Sequence, residues 1–177
     1  MAPLEEIKAR LFARRLRKER ERAATSPGPA GPIQLRTAQR ITVLFPADNA
    51  EDRKAVESWK PPGKEGRRVT AFGYFTHEVG ATNFSFKAVT LQDLNWYGVP
   101  EGQTTEDLRG SHPDLLIRLG PPSHAVLDYL AAITPAGLKV GPDSDADNLY
   151  HLRFFPVPDD LHAQLARIEK TFTFINE

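Results

Sequence analysis

The sequence predicts an α/β protein, a three-layer sandwich around a mainly parallel β-sheet of about five strands. Two segments support this prediction, because each has the pattern of a strand, a helix and a second strand in succession. The first covers residues 40–75 and the second covers residues 114–141. Two strands that are joined by a helix of this length are expected to be parallel neighbours in one sheet, with a right-handed crossover between them.

The second segment, DLLIRLGPPSHAVLDYLAAITPAGLKVG, is the clearest piece of architecture in the chain. The apolar run at 115–119 is typical of a strand that is buried on both faces. Gly120-Pro121-Pro122 ends this strand, and Ser123 is expected to cap the next helix, unless Pro122 already lies in its first turn. Apolar residues at helical spacing predict a helix over 125–133, and residues 138–140 form the following strand.

The first segment repeats the pattern. Residues 40–47 predict a strand, and Asp48 or Asn49 is expected to cap a helix that ends near Trp59. A second strand is predicted at 68–75. Two such units in one chain indicate a doubly wound sheet of the Rossmann or flavodoxin type.

The remaining segments are less regular. Residues 84–88 alternate as a strand would, and Thr90 is a candidate cap for a short helical turn. Residues 98–111 are mostly polar and are predicted to be loop. A last strand is expected at 149–155, and a C-terminal helix is expected to begin near Pro158.

Charge is unevenly distributed along the chain, although the net charge is zero. Residues 1–40 hold ten Lys and Arg against four Asp and Glu, a balance of +6, and the remaining residues carry −6. We predict a basic amphipathic helical arm at 1–23, a Pro/Gly-rich linker at 24–39 and a single α/β domain at 40–177.

Composition excludes several classes of function. Absence of cysteine excludes disulfides, thiolate catalysis and cysteine-based zinc sites. No apolar run approaches the roughly 20 residues of a membrane-spanning helix, and the charged N-terminus does not fit a signal peptide. We therefore expect a cytoplasmic protein.

The N-terminal arm is the main candidate for partner binding. Its narrow apolar stripe is surrounded by basic side chains, which suits RNA, a ribonucleoprotein, an acidic protein or an anionic membrane surface. The competing interpretation is a solvated helix that packs partly on the acidic body. The candidate polyanion-binding residues are Lys8, Arg10, Arg14, Arg15, Arg17, Lys18, Arg20 and Arg22.

The carboxyl ends of the strands are the second candidate site, because open parallel sheets bind ligands there. Asp48, Ser123 and His124 are expected at this edge, and they are the weak candidates for catalysis. The chain contains neither GxGxxG nor GxxxxGK[ST], so neither phosphate-binding fingerprint applies. Ordinary turn and capping roles are favoured for these residues, and a surface pairing is favoured for Asp128 with His124.

Two further motifs have both a functional and a structural interpretation. Asn95-Trp96-Tyr97 could stack on a base or on a partner, although burial of Trp96 beneath the insert is favoured. Asp143, Asp145 and Asp147 imitate the start of a calcium loop. That loop lacks the glycine and glutamate of the calcium pattern, and no two histidines have metal-ligand spacing, so no metal and no cofactor are predicted.

Four segments together resemble an uncharacterised bacterial family, a domain of unknown function. They are the basic leader helix, AQRITVLFPADNAEDRKAV, LQDLNWYGVP, and the 114–141 segment continuing to NLYHLRF. The resemblance implies a small α/β domain with a basic leader helix, and it supplies no activity. Residues 114–141 are also similar to the N-terminal half of heptosyltransferase-type glycosyltransferases. Those enzymes hold the nucleotide sugar with a second Rossmann-like domain, for which this chain has no room.

The first functional hypothesis is a non-enzymatic binding module that docks through the arm on RNA, a ribonucleoprotein or an acidic partner. The alternative is a small enzyme or ligand-binding domain that uses Asp48, Ser123 and His124. A third hypothesis is peripheral membrane association through the arm. The sequence favours the absence of catalysis and leaves open whether the arm packs on the body.

Overall fold

The computed structural model describes residues 3–24, 32–80, 82–144 and 149–175. Its strands are β1 (Arg40–Pro46), β2 (Arg68–Tyr74), β3 (Lys87–Val89), β4 (Leu115–Arg118), β5 (Leu138–Pro142) and β6 (Leu152–Phe154). Its α-helices are α1 (Leu4–Ala24), α2 (Ala50–Ser58), α3 (Gln103–Ser111), α4 (Ala125–Ile133) and α5 (Leu161–Phe174), and a 3₁₀ turn covers Leu91–Asp93.

The strands form one six-stranded, all-parallel sheet in the order β3-β2-β1-β4-β5-β6. The predicted α/β sandwich with a Rossmann-like sheet is thus confirmed, with six strands where about five were expected. The chain order reverses direction between β1 and β4. In sheets of this type, the crevice beyond the carboxyl ends of those two strands is the usual place for a ligand.

The side-chain alternation of β1 separates two cores. Ile41, Val43 and Phe45 lie on the face that is covered by α2 and α5, whereas Leu44 lies on the face covered by α3 and α4. All four side chains are buried. An almost continuous apolar strand therefore serves both layers, as expected for a central parallel strand.

Leu35 and Ala38 belong to the core on the side of α2 and α5. They precede β1 and lie within the 24–39 segment that composition assigns to a linker. Leu35 is only 1% exposed. Its apolar side chain therefore anchors the chain just before β1, although the surrounding residues have no helical or strand period.

Helix α3 was missed from the sequence, which predicted a loop at 98–111. The helix buries just two side chains, Thr105 and Leu108, and so its apolar stripe is too narrow to produce a periodic pattern. Thr90 caps the neighbouring 3₁₀ turn through a capping box with Asp93, as predicted.

Candidate functional site

Helix α1 lies against α4 as an additional layer outside the sandwich. Phe12 and Leu16 pack against the core beneath it, and the ring of Phe12 contacts that of Tyr129 with centroids 6.0 Å apart. In the sequence these two residues extend sideways the narrow apolar stripe of Leu4, Ile7 and Leu11. The basic helix is therefore packed on the body, the possibility that the sequence left open.

Glu19 fixes the orientation of α1. Its side chain is only 3% exposed, and its carboxylate lies 3.3 Å from Nη2 of Arg109, which belongs to α3. Arg15 and Arg22 of the same helix lie 3.5 Å from the same oxygen. A buried carboxylate is tolerated when it is paired in this way. Rotation of α1 about its axis would break the ion pair with Arg109, the partner that lies on another helix.

Glu19 is not among the candidate residues predicted from the sequence. Its spacing held a usable signal, because Arg15 and Arg22 stand four residues before it and three residues after it. Residues at those distances lie on one side of a helix. An acidic residue within a basic cluster is a candidate anchor for this reason.

The outward side of α1 carries four exposed cations: Arg10, Arg14, Arg17 and Lys18. Within the described ranges, none of the four forms an ion pair or a side-chain hydrogen bond. Arg10, Arg14 and Arg17 follow one another at spacings of four and three residues, which places them in a row about 10 Å long. We call these four residues the basic face.

The other four basic residues that the sequence selected have different surroundings. Lys8 lies 2.9 Å from Glu5, and Arg15 and Arg22 pair with Glu19. Arg20 is half-buried. The predicted set of eight thus divides into four residues that are paired or half-buried and the four residues of the basic face.

Trp96 is exposed by 61%, and the favoured expectation that it lies buried beneath the insert was wrong. Its ring packs edge-on against Tyr97, which is half-buried. Asn95 holds the loop, since its Oδ1 accepts hydrogen bonds from the backbone N–H groups of Tyr97 and Val99, each at 3.1 Å. Of the three residues, Trp96 alone presents most of its surface to solvent.

Asp48, Ser123 and His124 lie at the carboxyl edge of β1 and β4, as predicted from the strand order. The Asp48 carboxylate accepts hydrogen bonds from the backbone N–H and the hydroxyl of Thr76, at 2.9 and 2.6 Å. It also lies 3.1 Å from Nδ1 of His77. Asp48 therefore ties together the loops that follow β1 and β2.

The GPPSH turn offers little to an anion. Gln164 of α5 accepts a hydrogen bond from the Gly120 N–H at 2.8 Å and donates one to the Gly120 carbonyl at 3.1 Å. Pro121 and Pro122 lack N–H groups. Because the backbone of the turn is already occupied, a small-molecule site here would depend on side chains.

His124 caps α4, the role that the sequence gave to Ser123. Its Nδ1 accepts a hydrogen bond from the Leu127 N–H at 3.2 Å, which places the ring proton on Nε2. Burial is the main cause that lowers the pKa of His124, and the charge of Arg118 lowers it further. The neutral form is thus the one that caps the helix.

Replacing His124 with alanine should lower the free energy of unfolding by about 1 kcal/mol, because the Leu127 N–H loses its acceptor. His124→Asn, which keeps a capping oxygen, is the matched control. The folded pKa is depressed, so wild-type stability should fall as pH drops below about 6.5. Urea unfolding at about pH 7.5 and about pH 5.5 measures both effects, and an unchanged difference between wild type and His124→Ala would contradict the titration.

Asp128 corrects another expectation, the surface pairing with His124. The residue is 5% exposed, and Oδ1 of its carboxylate lies 3.2 Å from Nη2 of Arg118, which is fully buried. The Tyr150 hydroxyl donates a 2.6 Å hydrogen bond to the same oxygen. The carboxylate of Asp128 meets His124 through its backbone, since Oδ2 accepts a 3.2 Å hydrogen bond from the His124 N–H.

The acidic loop is described only in part, because Asp145 and Asp147 lie outside the described residues. Asp143 lies 3.8 Å from Arg153. Within the described ranges, no group of His, Asp and Glu side chains is arranged to hold a metal ion. In the same ranges, no helix has the length and apolar character needed to span a membrane.

Fold and site together define a class, a Rossmann-order α/β domain with a basic helix locked onto one side. The chain belongs to a family of unknown function, DUF6913, whose model matches residues 8–171. The match extends from α1 into α5, so the basic helix is part of the family domain. No curated protein matches the chain.

Proposed function

We propose that the protein docks on RNA, free or within a ribonucleoprotein, through the basic face of α1. One observation carries this proposal: Arg10, Arg14, Arg17 and Lys18 are exposed together on one side of α1, and within the described residues none of them forms an ion pair with a carboxylate. Phosphate groups would supply the missing negative charge, and counterion release would drive the association.

Anchoring of α1 favours this role. Glu19 and Phe12 hold the helix in one orientation before any partner arrives. Binding by a preformed helix avoids the ordering entropy that a disordered basic segment would lose. The rest of the chain has a net negative charge, which repels phosphates elsewhere and directs RNA to the basic face.

The proposal predicts salt-sensitive RNA binding that depends on four side chains. Anisotropy of a labelled single-stranded oligouridine should give a slope of log K against log salt near −3, as expected for about four phosphate contacts. Joint substitution of Arg10, Arg14, Arg17 and Lys18 by glutamine should remove most of the affinity and of this slope. Equal loss in the control, Arg36, Lys54, Lys60 and Lys64 replaced together by glutamine, would contradict a specific role for α1.

The control residues are exposed on the body and form no ion pair within the described part of the chain, so both variants lose the same charge. Substitution is preferred to deletion of α1, because deletion would uncover the apolar surface beneath Phe12 and Leu16. The membrane or protein alternatives would be favoured by a different result. In that case the wild type binds anionic vesicles or an acidic protein and not RNA, and the glutamine variant of the basic face loses this binding.

A small-molecule site at Asp48, Ser123 and His124 is the second proposal. The reversal of strand order between β1 and β4 favours it. The polar contacts of Asp48 and His124 within the protein make it secondary to the basic face. Because RNA and ribonucleoproteins are abundant in the cytoplasm, we propose that the protein acts there.

A further inference from the structure

Lys139 is a buried cation on β5 that the sequence did not single out. It is 5% exposed, and it faces α4 because its neighbours Leu138 and Val140 belong to the opposite core. Its Nζ lies 3.5 Å from the carbonyl oxygen of Ala132, near the C-terminal end of α4. Within the described residues it forms no ion pair with a carboxylate.

A cleft of about 410 Å³ opens beside this side chain, between the C-terminal halves of α1 and α4. Its volume is within the range of sites for small molecules. The apolar part of its lining comes from the ends of α1 and α4, the residues just after α4, and Leu149. The polar residues that line it are Glu19, Arg22, Arg109, Thr134, Lys139 and His151.

The charges in this cleft do not balance. Among the described residues that line it, Glu19 is the one carboxylate, and that carboxylate already pairs with Arg22 and Arg109. Lys139 is left with a long contact to one carbonyl oxygen, whereas buried ammonium groups are normally paired with a negative charge. Burial lowers the pKa of Lys139 from 10.5 to about 8, because the ammonium group loses its contact with water.

We propose that this cleft binds a small organic anion, a carboxylate or phosphate ester on an apolar group, with Lys139 as its counterion. The apolar side chains of Ile133, Pro135 and Leu149 would cover the hydrocarbon part, and the anion would lie against Nζ. His151 supports the geometry: its Nδ1 accepts a 2.9 Å hydrogen bond from the Lys139 N–H, so its Nε2 bears the ring proton and can donate. This site lies apart from the basic face and does not rest on the RNA proposal.

Benzoate, phenyl phosphate and the uncharged benzamide test the proposal on the full chain. NMR of the lysine side chains should show saturable shifts of Lys139 with one or both anions and none with benzamide. Bound anion should raise the pKa of Lys139, because an adjacent negative charge favours the ammonium form. The better of the two anions identifies carboxylate or phosphate as the group recognised.

Lys139→Met should weaken anion binding by about tenfold or more while keeping the length of the side chain. The control is Lys60→Met, which replaces an exposed lysine that does not line the cleft. This variant should bind the anions as the wild type does. The proposal is overturned if Lys139→Met binds as tightly as the wild type, if Lys139 does not respond to either anion, or if benzamide binds equally well.

Discussion

Replacing Asp128 with alanine should lower the free energy of unfolding by about 3–5 kcal/mol. Its partner Arg118 is fully buried, and among the described residues Asp128 is the one carboxylate that pairs with it. Removing the carboxylate leaves a guanidinium without compensation in the protein interior. It also leaves the buried hydroxyl of Tyr150 without the acceptor that it contacts at 2.6 Å.

Two controls separate the charge from the hydrogen bond. Tyr150→Phe removes a single hydrogen bond to Asp128 and should cost roughly 1.5–3 kcal/mol at most. The double variant Arg118→Met with Asp128→Leu removes both charges and should recover the part of the lost stability that the unpaired guanidinium causes. The Tyr150 hydroxyl still lacks its acceptor in this variant, so that part of the loss remains. Urea unfolding followed by circular dichroism provides the three values.

If Asp128→Ala costs no more than Tyr150→Phe, the ion pair does not hold this corner of the fold. If the double variant is as unstable as Asp128→Ala, packing of the side chains and not their charge is responsible. The expected result would show that Asp128 holds together β4, the start of α4 and the segment before β6. No local period in the sequence distinguishes this role from a surface pairing.

Patterns with a short period in sequence predicted the architecture well. Uninterrupted apolar runs located β1 and β4, because both faces of a central parallel strand are buried. Helical spacing located α4, because burial on one face of a helix repeats nearly every four residues. Turn chemistry located the Thr90 cap. The prediction missed helix α3, because two buried side chains do not produce an apolar stripe.

Candidate sites were harder, because they depend on contacts between distant residues. Glu19 meets Arg109 across 90 residues, and Asp128 contacts Arg118 and Tyr150, which belong to two other segments of the chain. Trp96 shows the converse error, since a large aromatic residue is usually buried and here the short loop held by Asn95 turns it outward. Residue type alone could not determine these directions.

Lys139→Met should stabilise the protein at neutral pH by roughly 3 kcal/mol, the largest gain that we expect from a single substitution. The pKa of Lys139 is about 8 when folded and 10.5 as the reference. Below pH 8 both states carry the proton, so the folded state bears the full cost of burying it. Between the two values the unfolded chain binds more protons, and wild-type stability rises with pH.

The difference in unfolding free energy between Lys139→Met and wild type should therefore be largest near pH 7 and shrink toward pH 10. The charged and titratable groups that face Lys139 are Glu19, Arg22, Arg109 and His151. The charge of Lys139 lowers the pKa of His151, after burial as the larger cause, so the comparison is made at pH 7 and above, where His151 is neutral. Taking the difference cancels the groups that do not interact with Lys139. It also cancels Tyr74 and Tyr150, whose pKa values burial raises and which would oppose the trend at high pH. Lys60→Met, which removes an exposed charge, should show a small and flat difference.

A flat curve for Lys139→Met would mean that water reaches Nζ freely, and the argument for a missing counterion would fail with it. A sloping curve has a second consequence. If benzoate then stabilises the wild type at neutral pH and not Lys139→Met, the anion supplies the charge that the fold lacks, because a ligand that binds only the folded state adds its binding free energy to stability. Stability would then link the buried lysine to a ligand without any assay of activity.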